Sequence, residues 1–169
     1  MGTLNRRLLL LGCLLGLTLW ATATLTAESI SGQVSWVYDG DTLEVEGVGK
    51  VRLLGIDTPE REDSPRDRYY QTRQPISSER LRAVSRAALK FNIRQAKGKL
   101  VTLEFDLQKK DRFGRTLAYV YLPDGTLLNR LLVEQGLAAT YRRFDFRLKA
   151  DFLAAEALAR SAGIGLWSH

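Results

Sequence analysis

The chain has 169 residues, a formal charge of +6, and 45% hydrophobic against 26% charged residues, a composition that excludes a disordered chain and suits one domain with a real core. It contains one histidine, the terminal His169, and one cysteine, Cys13. A histidine general base, a histidine metal cluster and a cysteine nucleophile are thereby excluded, so any catalysis rests on carboxylates, arginines, hydroxyls, lysines or a hard metal ion.

The first segment reads as an address. Arg6 and Arg7 precede residues 8–27, which carry no charge, and small residues follow at Ala21-Thr22-Ala23 and at Ala27. A basic start, an apolar run and small residues predict an export signal over 1–27, ahead of an uncleaved membrane anchor, and hence a secreted or periplasmic protein. Cys13 lies too early in the apolar run for lipid attachment. Without residues 1–27 the chain keeps 23 basic and 19 acidic residues, a charge of +4, and no cysteine, so disulfides play no part in the domain expected over 28–169.

In chain order, Val34 to Tyr38 predicts a strand, closed by the turn-prone Asp39-Gly40-Asp41. Thr42 to Glu46 alternates, and Lys50 to Ile56 predicts a third strand after Gly47 and Gly49. Pro59 ends it. Residues 61–75 show no hydrophobic period, which makes them a long connection. A helix follows, capped by Ser77 or Ser78, with Leu81, Val84, Ala88 and Phe91 at helical spacing up to Gly98. Leu100 to Leu107 alternates, Leu117 to Leu122 predicts a fifth strand, Leu127 to Gln135 a short helix, and Arg147 to Arg160 a last helix, with Trp167 folding back on it. Three strands, a helix, two strands and further helices describe an α+β, mainly β chain, a five-stranded OB-fold barrel with three helices.

With the first hairpin turn near Gly47 to Gly49, Asp41 falls opposite roughly Gly55, and Asp57 becomes a diagonal neighbour. Two carboxylates at one end of a hairpin can clamp a hard cation. Strict alternation does not place Arg52 beside both aspartates, so a bulge or barrel curvature must do so. Singly, Asp39 and Asp41 read as turn formers, Asp57-Thr58-Pro59 as a strand end, and Glu60 as a solvated glutamate. Arg52, between Val51 and Leu53, needs an acceptor, either a carboxylate or a phosphate. Lys109 to Arg115 lies between the fourth and fifth strands. It reads as a charged hairpin tip or as a phosphate site, since guanidinium donors match phosphate oxygens in pairs.

Together, Asp39-Gly40-Asp41-Thr42, the segment Arg52 to Glu60 (Arg-Leu-Leu-Gly-Ile-Asp-Thr-Pro-Glu), Asp111 to Arg115 (Asp-Arg-Phe-Gly-Arg), Glu134 to Ala138 and Leu166-Trp167-Ser168 resemble the staphylococcal nuclease (thermonuclease) family. The Arg52 to Glu60 segment is the most specific part, and the likeness covers nearly all of 28–169. It implies a five-stranded OB barrel with three helices and a calcium-dependent phosphodiesterase acting on DNA and RNA, preferring single strands and leaving 3′-phosphates. Calcium comes ahead of magnesium or manganese. By the resemblance, Asp41 and Asp57 bind the metal with carboxylates and Thr58 with its backbone carbonyl. Glu60 is the general base, and Arg52 and Arg115 bind the scissile phosphate. Arg112, Phe113 and Tyr141 are implied substrate contacts. The family often has tyrosine where Phe113 stands, which removes a hydroxyl.

The 61–75 loop carries Arg66, Arg68 and Arg73 with Tyr69 and Tyr70, a mixture that suits phosphate contact and base stacking and equally suits a solvated loop. The alternative to an enzyme is a non-catalytic OB-fold module that binds nucleic acid. Such a module has no need of Asp41, Asp57 and Glu60 together with two arginines. A monomer without an obligate protein partner is expected, with membrane contact only if the N-terminal segment is retained.

Overall fold

The computed structural model describes residues 28–168. The expected export signal over 1–27, with Cys13, and the terminal His169 lie outside the described residues.

Alternation of apolar side chains builds the sheet. β1 (Ser29–Val37), β2 (Thr42–Val45), β3 (Gly49–Leu53), β5 (Leu100–Glu104) and β6 (Thr116–Tyr121) form a closed barrel in the order β1-β2-β3-β6-β5. All neighbours are antiparallel except β3 and β6, whose parallel pairing closes the barrel. β1 begins at Ser29, ahead of the Val34 start expected from its pattern. Its first half pairs with β5 and its second half with β2, across a register shift between Val34 and Trp36. Such a shift bends a strand so that one segment can serve two neighbours. Val34, Leu43, Val51, Leu53, Val101 and Leu103 point inward and are buried.

Among the described residues four α-helices surround the barrel, three of them of seven residues or more. α2 (Ser78–Ala96) is capped by Ser77, whose hydroxyl accepts from Arg80 N at 3.2 Å. It buries Leu81, Val84 and Ala88. α3 (Leu128–Glu134) and α4 (Lys149–Ser161) cover the barrel with Leu128, Leu132, Phe152 and Ala155. The fourth helix, α1 (Asp67–Gln71), lies within the segment expected to be a bare loop. Its Tyr70 packs with Ile76, Leu81 and Trp167, so Trp167 does fold back.

Two strands break earlier than their alternation predicts. Lys50 to Ile56 is not one strand. β3 stops at Leu53, the chain turns at Leu54-Gly55, and β4 (Ile56–Asp57) leaves the barrel to pair with β7 (Ala139–Thr140). Gly55 has φ +81°, a left-handed conformation that suits glycine alone among common residues. The stretch to Leu107 likewise ends at Glu104. Leu107 is fully exposed, and its N–H bonds the Asp106 carboxylate at 2.8 Å, a local bond that competes with a ladder.

Two buried asparagines fix what these breaks leave open. Asn129 of α3 donates to Leu54 O at 2.9 Å and Ala118 O at 3.1 Å and accepts from Val120 N at 2.9 Å. Asn92 of α2 donates to Gly40 O at 2.8 Å, which pins the turn before β2. The β2 entrance and the β3 exit are thus both anchored from behind.

Candidate active site

The β2–β3 ladder sets the first distances. Thr42 faces Arg52, and Leu53 N donates to Asp41 O at 2.8 Å. Asp41 therefore stands opposite Leu53, short of the Gly55 position expected from turn length. The turn at Leu54-Gly55 then swings Asp57 back toward Arg52, the adjustment that straight alternation lacks. Arg52 Nη2 lies 3.1 Å from Asp41 Oδ2 and 3.2 Å from Asp57 Oδ1. One guanidinium nitrogen stands between two nearly buried carboxylates.

Each carboxylate has further support. Asp41 Oδ2 accepts from Thr58 N at 3.0 Å and Thr58 Oγ1 at 2.9 Å, and Asp41 Oδ1 accepts from Thr42 Oγ1 at 3.2 Å. Asp57 Oδ2 accepts from Tyr70 OH at 2.8 Å and Arg66 Nε at 3.2 Å, and Arg66 Nη2 pairs with Asp57 Oδ1. In the sequence Arg66 and Tyr70 are only loop residues of suitable chemistry. Their convergence on Asp57 comes from α1, which no local pattern announces.

Asp39 is the turn former that its sequence suggests, with its carboxylate accepting from Asp41 N at 2.9 Å. Burial, and then the Asp41 charge, push its carboxyl up to about 6. Glu60 is exposed at the cleft rim and makes no hydrogen bond or ion pair with any described residue. Burial, then the Asp41 and Asp57 charges, raise its carboxyl above the usual range. Of the neighbouring acids of the loop, Glu62 lines the same cleft, while Asp63 and Asp67 are engaged. Arg82 holds Asp67 at 2.6 Å and Asp63 at 2.9 Å.

Arg115 enters from the opposite side, at the start of β6. Asp111 accepts from Arg115 N at 3.0 Å and from Arg115 Nε at 2.7 Å, while Arg115 Nη1 reaches Thr42 Oγ1 at 3.3 Å. Burial alone would raise the Asp111 carboxyl. The bonds from Arg115 and from the Phe113 and Arg115 N–H groups outweigh it and hold the pKa below the ordinary value. Sequence reasoning gives Asp111 a place in the motif but no role. The available signal is an aspartate three residues before a glycine and four before an arginine. Arg112 lies over the exposed Phe113 ring, 4.7 Å from its centroid. Tyr141 follows β7, is tied to Gly55 O through its N–H at 2.8 Å, and packs against Phe144 at 5.0 Å.

All nine residues singled out by motif and resemblance line one open cleft of about 950 Å³. No group of three or more His, Cys, Asp or Glu side chains could hold a metal by itself among the described residues. The donors that converge are Asp41 and Asp57, oxygen only, around a point where positive charge already sits. Oxygen-only donors are the type that a hard cation takes with water completing its shell, and not the type that zinc prefers.

The family model of staphylococcal nuclease homologues matches residues 50–169. The chain is 37% identical over 154 residues to an uncharacterized protein of Methanocaldococcus jannaschii, an alignment covering 85% of this chain and 74% of that protein. It is 34% identical over 139 residues to a thermonuclease of Staphylococcus hyicus, covering 79% and 73%. An uncharacterized endonuclease of Escherichia coli is 32% identical over 142 residues, covering 82% and 78%. The barrel, the cleft and these similarities place the chain in the staphylococcal nuclease family.

Proposed function

We propose that the protein is an exported nuclease that hydrolyses phosphodiester bonds of single-stranded DNA and RNA, depends on calcium, and leaves 3′-phosphates. The observation that carries this reading is the convergence of Asp41, Asp57, Glu60, Arg52 and Arg115 on one cleft. The relatives named as nucleases support the reaction class. The basic start and uncharged stretch of residues 1–27 support export.

A phosphodiester is anionic and repels nucleophiles, so the protein has to neutralise charge that grows on the phosphoryl oxygens. Arg115, fixed by Asp111, and Arg52, held at the end of β3, present guanidinium groups to the cleft from two sides. Their planar donors match two phosphate oxygens at once. Glu60 has no competing partner among the described residues, and its carboxylate is free to take the proton of the attacking water. Asp41, Asp57 and the Thr58 carbonyl would hold the cation, which when bound supplies charge to polarise the phosphoryl group and orient water. Phe113, Arg112 and Tyr141 form the walls against which a nucleoside can lie.

The test is cleavage of denatured DNA with calcium, with magnesium and with chelator, alongside Glu60→Gln. Calcium-dependent cleavage, lowered by about 10²–10⁴-fold in the variant while its circular dichroism is unchanged, is the expected result. Binding without cleavage in every metal would instead make the protein a nucleic-acid-binding module. A folded variant with full turnover would remove Glu60 from its role.

A further inference from the structure

Beside the catalytic cleft lies a second concavity of about 440 Å³ that the proposed reaction does not use. It is built on α1 and on the segment after β7. Arg66, Arg68, Arg73 and Arg143 line it around Tyr69, and no carboxylate does. The acids of the same loop are turned away. Asp63 and Asp67 pair with Arg82 of α2, and Glu62 lines the first cleft. The result is a face around α1 on which Arg66 is held by Asp57, while Arg68, Arg73 and Arg143 meet no carboxylate among the described residues.

Its parts are arranged rather than scattered. The Tyr69 hydroxyl donates to Thr140 O at 3.2 Å, and its ring meets Tyr70 edge-on at 5.3 Å, so the ring is fixed. The Arg73 guanidinium stacks over that ring at 3.8 Å. Arg66 stands 5.7 Å from the Tyr69 centroid and 5.7 Å from that of Tyr141. It lines both concavities, as Arg143 does, and so joins them. Arg68 and Arg143 are exposed and meet no carboxylate among the described residues.

We propose that this concavity is a distal phosphate subsite, which takes a phosphodiester of the same single strand whose scissile bond lies in the first cleft. The inference rests on the proposed nucleic-acid substrate and adds where the flanking strand runs. Three arginines without a carboxylate partner, Arg68, Arg73 and Arg143, beside a fixed aromatic ring are the elements of a single-strand groove, where charge tracks the backbone and stacking tolerates any base. Continuity through Arg66 and Arg143 favours one strand crossing both concavities over an independent ligand.

The experiment measures binding of fluorescent oligothymidylates of about 16 and about 4 nucleotides, in chelator, to the protein, to Arg68→Gln and to Arg68→Gln/Arg73→Gln. The expected result is that the preference for the long over the short strand falls about tenfold in the double variant. The slope of log affinity against log salt should fall by about 0.7 for each phosphate that is no longer neutralised, hence about 0.7 in the single and about 1.4 in the double variant. An equal loss for both lengths, or an unchanged preference, overturns the subsite. Because binding is read without metal, a protein that shows the length effect but cleaves nothing when calcium is restored keeps the subsite and loses the nuclease reading.

Discussion

Asp111 grips Arg115 at two points, taking its backbone N–H at 3.0 Å on Oδ1 and its Nε at 2.7 Å on Oδ2. The same carboxylate accepts Phe113 N at 2.9 Å, so one side chain shapes the turn and aims the guanidinium. Arg115 then has only its terminal nitrogens for the cleft. In the proposed reaction Asp111 is a positioning residue, since it touches Arg115, the group proposed to bind the phosphate. Displacement of a reacting group by about 1 Å can cost on the order of 10²-fold in rate. Asp111→Ala is expected to lower kcat/KM by about 10–10²-fold, mostly in kcat. Asp111→Asn, which keeps an acceptor for the backbone N–H groups, should recover part of it. Steady-state kinetics on a defined oligonucleotide check this, and an equal loss in both variants would mean that only the charge matters.

Arg52 has a structural duty besides the catalytic one proposed for it. It stands between Asp41 and Asp57, whose side chains are nearly buried. Removing one partner of a buried pair leaves charge uncompensated, at about 3–5 kcal/mol. Asp57 keeps Arg66 and Tyr70, so Arg52→Ala should cost about 3 kcal/mol, the lower end. Urea unfolding in chelator measures it. Calcium should return part of the loss, because a ligand that binds only the folded state stabilises it. A variant as stable as the parent in chelator would show that the two carboxylates do not need Arg52.

Much of this was legible in local sequence. Leu43 with Val45 and Val101 with Leu103 mark strand faces, Ser77 caps α2 as its type predicts, and the Arg52 to Glu60 segment names residues that do share a cleft. What was not legible depends on contacts between distant segments. The five residues of α1 are too short to show a period. The roles of Arg66 and Tyr70 at Asp57 follow from where α1 packs, not from spacing. The β2–β3 register depends on Gly47 and Gly49 both taking left-handed φ, which alternation alone does not reveal.

Gly55 is the residue on which that geometry turns. An isolated glycine in a strand pattern marks a bend, and here it separates β3 from β4. A Cβ at Gly55 would meet the left-handed backbone cost of about 1–2 kcal/mol. It would also stand 2.6 Å from Phe146 Cε2, an overpacking cost of about 1–3 kcal/mol. Gly55→Ala should therefore destabilise by about 2–5 kcal/mol. The strand should also straighten and carry Asp57 away from Arg52. Chemical denaturation gives the first effect and calcium titration calorimetry the second. A stable variant with unaltered calcium affinity would mean that the bend is not what places Asp57.

Glu156 supports the site strand from behind and ties stability to pH. It is 1% exposed, on α4. It accepts Thr140 N at 2.7 Å and pairs with Arg142 at 3.0 Å and Arg160 at 2.8 Å. Thr140 belongs to β7, which pairs with the β4 strand that carries Asp57. Burial alone would raise the Glu156 carboxyl, but the Arg142 bond, the Thr140 N–H and the two guanidinium groups outweigh it and set the pKa below the ordinary 4.5. The folded state therefore binds this proton less tightly than the unfolded chain. Its contribution is complete above the unfolded value and is lost as pH falls through the lower, folded one. At neutral pH, Glu156→Gln should cost about 1.5–3 kcal/mol, the worth of hydrogen bonds to a charged group. The stability gap between parent and variant should narrow as pH drops below about 4.5. Urea midpoints across that range measure the gap directly. A gap that stays constant would show that Glu156 acts by shape and hydrogen bonding alone, with its charge contributing nothing.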